Sequence, residues 1–496
     1  MIFKNLWAKP PSKLKNNLVI LAILLLGLGV RLYNINTPLA DWHSWRQADT
    51  ASVAVEYIKN GIDLLHPKYL DLSNIPSGLE NPQGYRMVEF PMVAARIAVV
   101  SENVLPNVPI HVIFRVYSII SSLFSLFVLY HLVLLFEKRR VAELTALIFA
   151  ILPYNVFYSR AVLPEIHLVA VSLMALYSVV RFFTIPDHSL KTPWYWLAVV
   201  TGAIALLLKP TALFFALPAL YVGWRKCKGK LLTDYKTYLF LALTFAPLLW
   251  WRWWIGHFPE GIPAFTWLLN SNGIRFKGAF FHWLFAERIG RLILGFWGLI
   301  LLALGFLHKA EDDKKSLSAG FFGSWLISML AYLSIFATGN VQHDYYQIIL
   351  IPIICVYVAK GIEFLLNAPK VYGYSRTTCY ILLTTASAFA LAFSWFEVRG
   401  YYQINNPAMV EAGQAVDRLT PADALIIAPY GGDTAFLYQT NRRGWPIGGQ
   451  IEKRIQQGAD YYVTTALDDE AKKLIEDCGV ADQTKDYTVI NLHQCN

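Results

Sequence analysis

The sequence predicts a polytopic α-helical membrane protein of roughly eleven transmembrane helices followed by a small C-terminal α/β extracytoplasmic domain. Three observations carry this reading. Of 496 residues, 56% are hydrophobic and only 16% are charged, whereas an ordinary soluble domain carries about 25% charged residues. Apolar runs lie near residues 16–34, 111–136, 141–159, 166–184, 193–208, 211–224, 236–254, 289–307, 318–338, 346–366 and 378–396. Most come close to the roughly 20 residues that cross about 30 Å of hydrocarbon. The 16 Trp, 27 Tyr and 30 Phe suit aromatic belts at the two interfaces.

The first run follows Lys4, Lys9, Lys13 and Lys15 with no acid among them, so the N-terminus is expected in the cytoplasm. No small-x-small cleavage pattern follows that run, so it reads as a retained helix and not as a removed signal peptide. Alternation then puts loops 137–140, 225–236 and 367–376 on the cytoplasmic side, and all three have a basic excess; loop 308–315 is balanced. The opposite face receives the first loop, about 35–110, the junctions 158–166 and 339–347, the aromatic loop 255–288 and the C-terminal tail. Every polar cluster with chemical potential falls on that face.

Residues 1–400 therefore read as the membrane domain, and 405–496 as a soluble periplasmic α/β domain of about 90 residues in which helical and strand patterns alternate. The stretch "PYGGDT" (429–434) has glycines but neither dinucleotide spacing nor a phosphate-loop Lys-Ser/Thr. Cys478 and Cys495 have two readings, a pair in an oxidising compartment or free thiols, and the five cysteines show no metal-ligand spacing. The formal charge of +9 is spread among loops, which points to topology signals and excludes nucleic acid as a partner. No internal repeat is evident, which disfavours a transporter built from repeated halves.

Four stretches carry candidate chemistry. In "ADWHSWRQADTASVA" (40–54) a helix with apolar spacing at Ala51, Ala54, Val55 and Ile58 is expected to lie along the membrane surface, with Asp49 at its N-terminal end. Asp49 is there either a helix cap or a functional acid. Arg46 and His43 stand beside it, and Glu89 in "VEFPMV" (88–93) is a loop acid near re-entry. In "YSRAVLPEIHL" (158–168), Arg160 and Glu165 flank a turn between apolar runs, either paired with each other or functional. In "QHDYYQIILIP" (342–352), Tyr345 and Tyr346 are belt residues or, beside His343, hydrogen-bond donors to a phosphate. Lys209 has no charge partner nearby in sequence and suggests an anion. The loop 256–291, with Arg275, Lys277, His282 and Arg288 among aromatics, reads as an interfacial stretch favouring anionic lipid or as a packed loop.

With these residues in view, the pattern resembles the C-type membrane glycosyltransferases, in particular family 39, which includes protein O-mannosyltransferases and lipid A aminoarabinose transferases. The resemblance covers roughly residues 15–400 in architecture and rests on "WRQADTASVA", "EFPMV", "RAVLPE" and "HDYYQ". That family has an acidic motif, commonly Asp-Glu, after its first helix, and the matching aspartate is Asp49, with Thr50 where the glutamate usually stands. The resemblance implies a polyprenyl-phosphate sugar donor, Asp49 and Glu165 as catalytic residues, and Arg46, Arg160, Lys209, His343 and Tyr345 as partners of the donor phosphate. His43, Glu89 and Tyr346 are further candidates. It implies a multi-pass protein of the bacterial inner membrane, with membrane lipid as partner and the acceptor unspecified.

One displacement at the anomeric carbon, through an oxocarbenium-like state, implies inversion. Cations would stabilise the phosphate as it leaves. No cofactor is required on this reading, and the sequence shows no dedicated metal cluster. Two rival readings use the same residues differently: a polytopic transporter or lipid flippase, and a membrane scaffold whose periplasmic domain binds a partner.

Overall fold

The computed structural model describes residues 13–185, 188–310 and 315–495. Lys4 and Lys9, and the central part of loop 308–315, lie outside the described residues. Helices make most of the membrane part: α1 (Lys13–Arg31), α2 (Ser44–Asn60), α3 (Met92–Asn103), α4 (Ile110–Leu134), α5 (Arg139–Ile151), α6 (Pro153–Tyr158), α7 (Pro164–Thr184) and α8 (Pro193–Leu208) lead the chain. Pro153, Pro164 and Pro193 each open a helix, where the missing N–H is harmless and the fixed φ suits the first turn.

Among the described residues, five helices are long and apolar enough to cross a membrane: Ile110–Leu134, Pro164–Thr184, Leu317–Ile335, Asp344–Val371 and Arg376–Leu419. The pair Gly278–Ile293 and Gly298–Gly305, bent by 112°, makes a sixth if it is one span, and Asn17–Arg31 and Pro193–Leu208 are shorter apolar helices. Large apolar side chains such as Leu18, Ile120, Phe124, Leu249 and Ile381 stay exposed on helices, as contact with lipid requires. The protein is thus a polytopic helical membrane protein.

Several of the runs read as single spans are interrupted. Near 141–159, Pro153 disfavours helical geometry at Leu152, which turns extended, so α5 ends and α6 begins. The break leaves carbonyls without helical partners. Arg31, fully buried, donates to the Phe149 and Ala150 carbonyls at 3.1 and 2.7 Å and to Ser159 Oγ at 2.7 Å. An arginine in an apolar layer is tolerated because its donors satisfy what the break leaves open. A second break falls at Lys209, which is extended between α8 and the 3-10 turn Pro210–Phe215.

The carboxy-terminal part forms a five-stranded mixed sheet in the order β2-β1-β3-β5-β4. Strands β1 (Leu425–Ile427), β2 (Arg443–Trp445) and β3 (Ala459–Thr464) are parallel; β5 (Thr488–Asn491) is antiparallel to both β3 and β4 (Gly479–Gln483). Cys478 and Cys495 form a disulfide.

The edge strand β2 is not left open. Leu72 of the first loop donates to the Gly444 carbonyl at 2.8 Å, and Gly444 donates back to Leu70 at 2.9 Å, which caps a row of groups that would otherwise invite pairing. Gly444 is required there: at φ +156° any Cβ would lie 1.8 Å from the Ile426 carbonyl oxygen. Lys453 with Glu80 at 2.7 Å and Gln439 with the Leu39 carbonyl at 3.1 Å extend the join. First loop and sheet are therefore joined in one unit.

Candidate active site

Helix α2 starts earlier than the sequence suggested. His43 takes a left-handed conformation (φ 54°, ψ 37°), and Ser44 opens the helix. Asp49 therefore sits in the second turn and caps nothing, which removes the capping reading. Nor does α2 lie open on a membrane surface: Arg46, Asp49, Val53, Glu56 and Tyr57 are all buried, because α3, α4 and the helix Ala435–Gln439 pack around it.

Both Asp49 oxygens are engaged. Arg86 Nη2 lies 2.8 Å from Oδ2, and Thr434 Oγ1 donates to Oδ1 at 2.7 Å. Asp49 opens onto a cavity whose polar wall is Arg46, Thr50, Arg86, Glu89 and His167 and whose remaining wall is apolar, including Val53, Phe90, Phe114 and Leu163. Thr50 spends its hydroxyl on the Arg46 carbonyl at 2.9 Å, so the carboxylate absent at that position is supplied to the cavity by Glu89 instead.

Arg46 donates from Nη2 to Glu89 Oε1 at 3.0 Å, while its buried Nη1 has no hydrogen-bond partner among the described residues. Burial pushes the Glu89 carboxyl up, but Arg46 and Arg86 beside it outweigh that and hold it below the usual range. Lys209 Nζ is ion-paired with Glu165 and lies 4.7 Å from the Tyr346 ring centre. The second Glu165 oxygen is buried and unpartnered among the described residues. Arg46 lies within electrostatic reach of Glu165 and Tyr345, so Arg46, Glu89, Glu165, Lys209, Tyr345 and Tyr346 form one constellation.

Two expectations change here. Arg160 does not pair with Glu165 and does not join that constellation. It is 1% exposed and turns to Asp41 at 3.4 Å and the Asn34 carbonyl at 3.0 Å, with its guanidinium 4.6 Å from the Tyr402 ring centre. Asp41 also holds Arg115 at 3.0 Å, so these three charges fasten the chain after α1. Tyr345 and Tyr346 are buried, not exposed belt residues. In the loop 256–291, Arg275 and Arg288 turn inward to the Ile335 and Val341 carbonyls at 3.1 and 2.9 Å, while Phe265, Phe276 and Phe281 stay exposed.

Asp344 is the residue that sequence reasoning passed over. It is 1% exposed and accepts hydrogen bonds from Trp42 Nε1 at 3.1 Å, Tyr158 Oη at 2.5 Å and Tyr401 Oη at 2.9 Å, with His43 Nε2 at 2.5 Å. It thereby ties the start of α2 to α6 and to the chain near residue 401. His343 sits in an aromatic box with Trp45 and Trp267 at 5.7 and 5.6 Å; burial, then the His43 charge, lower it to about 4. It is neutral at physiological pH. His167, also unassigned from sequence, meets Ser121 Oγ at 2.9 Å through Nδ1 and reaches the cavity wall.

A buried acid, Asp49, thus shares one cavity with Arg46, Arg86 and Glu89. Residues 21–258 match the family model of the dolichyl-phosphate-mannose-protein mannosyltransferases. In fold the chain is similar to the crystal structure of ArnT from Cupriavidus metallidurans bound to undecaprenyl phosphate, with a TM-score of 0.65 and 14% identity over 95% of this chain and 97% of that one. It is also similar to the Archaeoglobus fulgidus oligosaccharyltransferase tethered with an acceptor peptide, with a TM-score of 0.58 and 12% identity over 91% and 69% of the two chains. The same archaeal enzyme in complex with an inhibitory peptide and a dolichol-phosphate aligns with a TM-score of 0.53 and 12% identity over 92% and 70%. No curated protein matches the sequence. The similarity to the mannosyltransferase family model thus covers the first half of the chain, and the fold as a whole is that of the ArnT and oligosaccharyltransferase structures.

Proposed function

We propose that this chain is an inverting glycosyltransferase that moves a sugar from a polyprenyl-phosphate-linked donor to an acceptor hydroxyl or amine at the extracytoplasmic face of a bacterial inner membrane. The single observation that carries the reading is the coexistence, on one cavity, of Asp49 and the unpartnered buried Nη1 of Arg46. A buried charged donor without a partner is unfavourable by about 1–3 kcal/mol or more. A phosphate oxygen would satisfy it, in the charge-assisted geometry that arginine favours.

On this reading Arg46 and Lys209 hold the donor phosphate, with the Tyr345 and Tyr346 hydroxyls beside them, and Glu165 keeps Lys209 in place. Asp49 takes the proton of the incoming acceptor as the glycosidic C–O bond to phosphate breaks and the new bond forms on the opposite face of the sugar. The phosphate leaves as an anion, so its stabilisation by fixed cations lowers the barrier without a strong general acid. The 405–496 unit reaches the site through Thr434. The sugar, hexose or pentose, and the acceptor, lipid, glycan or protein, are left to the assay.

The test is transfer by the full chain in liposomes. Undecaprenyl-phosphate mannose and undecaprenyl-phosphate aminoarabinose serve as donors, and a membrane lipid extract and a peptide pool serve as acceptors. Release of undecaprenyl phosphate together with a product of inverted anomeric configuration is expected. Retention of configuration would refute single displacement, and vectorial movement of intact donor without cleavage would favour the transporter reading.

A further inference from the structure

The carboxy-terminal unit reaches the candidate catalytic acid through a short turn that the sequence had offered no role. Residues Tyr430 to Asp433 form a tight turn in which Gly431 and Gly432 take φ +62° and +86°, and Asp433 N donates to the Tyr430 carbonyl at 3.0 Å. Tyr430 and Gly432 both donate to the Pro446 carbonyl at 3.0 Å, and a Cβ at Gly432 would lie 2.9 Å from Ile75 Cδ1 of the first loop. The turn is therefore fixed from two sides. Asp433 Oδ1 accepts from Ala435 N at 2.7 Å, which sets the start of the helix Ala435–Gln439 and aims Thr434 at α2.

Thr434 is 8% exposed, and its Oγ1 lies 2.7 Å from Asp49 Oδ1 and 3.2 Å from the Trp45 carbonyl. A hydroxyl has one proton, and the shorter, charge-assisted contact takes it. Asp49 is then gripped by two donors from distant parts of the chain, Arg86 on Oδ2 and Thr434 on Oδ1. A carboxylate offers about four lone-pair positions, so acceptor sites remain on the cavity side after both donors are seated.

We propose that Thr434 is a positioning residue for Asp49: its hydroxyl fixes the carboxylate's orientation, so the 405–496 unit is a component of the catalytic machinery and not an appended binding module. This deepens the reading above and rests on Asp49 being the base. Without the hydroxyl, the carboxylate is free to rotate toward Arg86 and lose its alignment with the acceptor.

The charged and titratable groups facing Asp49 are Arg46 on its own helix, Tyr69, Asp71 and Arg86 from the first loop, and Asp433 from the turn. All of them are common to wild type and a Thr434 variant, so a difference in kcat between the two reports the lost hydroxyl.

The experiment compares wild type, Thr434→Val and Thr434→Ser in the full chain in liposomes, using the undecaprenyl-phosphate donors above and reading undecaprenyl phosphate release against donor concentration, with thermal melting in parallel. Thr434→Val is expected to lower kcat by about 10- to 100-fold with donor KM little changed. Thr434→Ser restores the rate to within about threefold. An unchanged kcat in Thr434→Val overturns the proposal, as does a loss of rate that Thr434→Ser does not restore, which marks a merely structural contact. If Asp49→Asn in the same assay also retains turnover, the reading of Asp49 as base fails; if only Thr434→Val is silent, that reading stands and the positioning role alone is lost.

Discussion

Arg46 gives one guanidinium nitrogen to Glu89 at 3.0 Å and keeps the other buried, unpartnered among the described residues. A structural salt bridge alone would not require that second nitrogen to be stranded. Replacing Arg46 by Met keeps the stem and removes the fork. Undecaprenyl phosphate binding is expected to weaken about 10- to 100-fold, because a charge-assisted bond contributes roughly 1.5–3 kcal/mol. Titration of the lipid into protein in nanodiscs measures it, and unaltered affinity would separate Arg46 from the phosphate.

Asp344 gathers donors from Trp42, His43, Tyr158 and Tyr401 on two oxygens. Asp344→Asn preserves the shape but puts an NH2 where donors already point. A loss of about 3 kcal/mol or more in stability is expected, since breaking a buried charged network strands its partners. Thermal unfolding in detergent should show it, and a melting point within a degree of wild type would mean the hub is dispensable.

Asp71 is 1% exposed, and burial pushes its carboxyl up to about 6 from 3.8. An acid whose pKa is higher folded than unfolded binds its proton more tightly in the folded state. Its contribution is therefore present below about pH 4 and lost as pH rises to about 6, by up to roughly 3 kcal/mol. Asp71→Asn retains an acceptor for the Ser73 N–H, now at 2.7 Å, without the charge. The variant should gain on wild type between pH 4.5 and 7 in melting temperature; parallel pH curves for the two proteins would contradict this.

The Cys478–Cys495 disulfide closes a loop with a sequence separation of 17. In the chain-entropy picture such a closure is worth about 3 kcal/mol. Cys478→Ser with Cys495→Ser should lower the unfolding midpoint of the carboxy-terminal unit, followed by near-ultraviolet signal, while the membrane helices keep their far-ultraviolet signal. Equal midpoints with and without the bond would show that the sheet's other contacts suffice.

Composition and apolar run length made the membrane class legible, while lysine and arginine bias gave an expectation for the face on which the polar clusters lie. Asp49, Glu165, Lys209 and Tyr345 were legible as candidates because ionisable or paired polar groups at helix ends stand out against apolar flanks. Their pairing was not. Arg46 with Glu89, Lys209 with Glu165 and Asp49 with Thr434 join residues 43, 44 and 385 positions apart, and nothing local encodes which acid meets which base. Arg160 was misassigned for the same reason, since Asp41 lies 119 positions away. The start of α2 was missed because it depends on His43 entering a left-handed conformation, which a non-glycine residue adopts only when its surroundings impose it. Here His43 is held by its hydrogen bond to Asp344. Asp344 itself was hidden among aromatics, its donors scattered over three segments.

The account turns on Asp49. Its direct measurement is donor turnover by Asp49→Asn in liposomes, beside binding of undecaprenyl phosphate to the same preparation. Because asparagine keeps the shape and cannot accept the acceptor's proton, binding within about threefold of wild type and a fall in turnover of at least about 100-fold are expected. Turnover close to wild type with intact binding would contradict the account and move the base to another residue of the cavity.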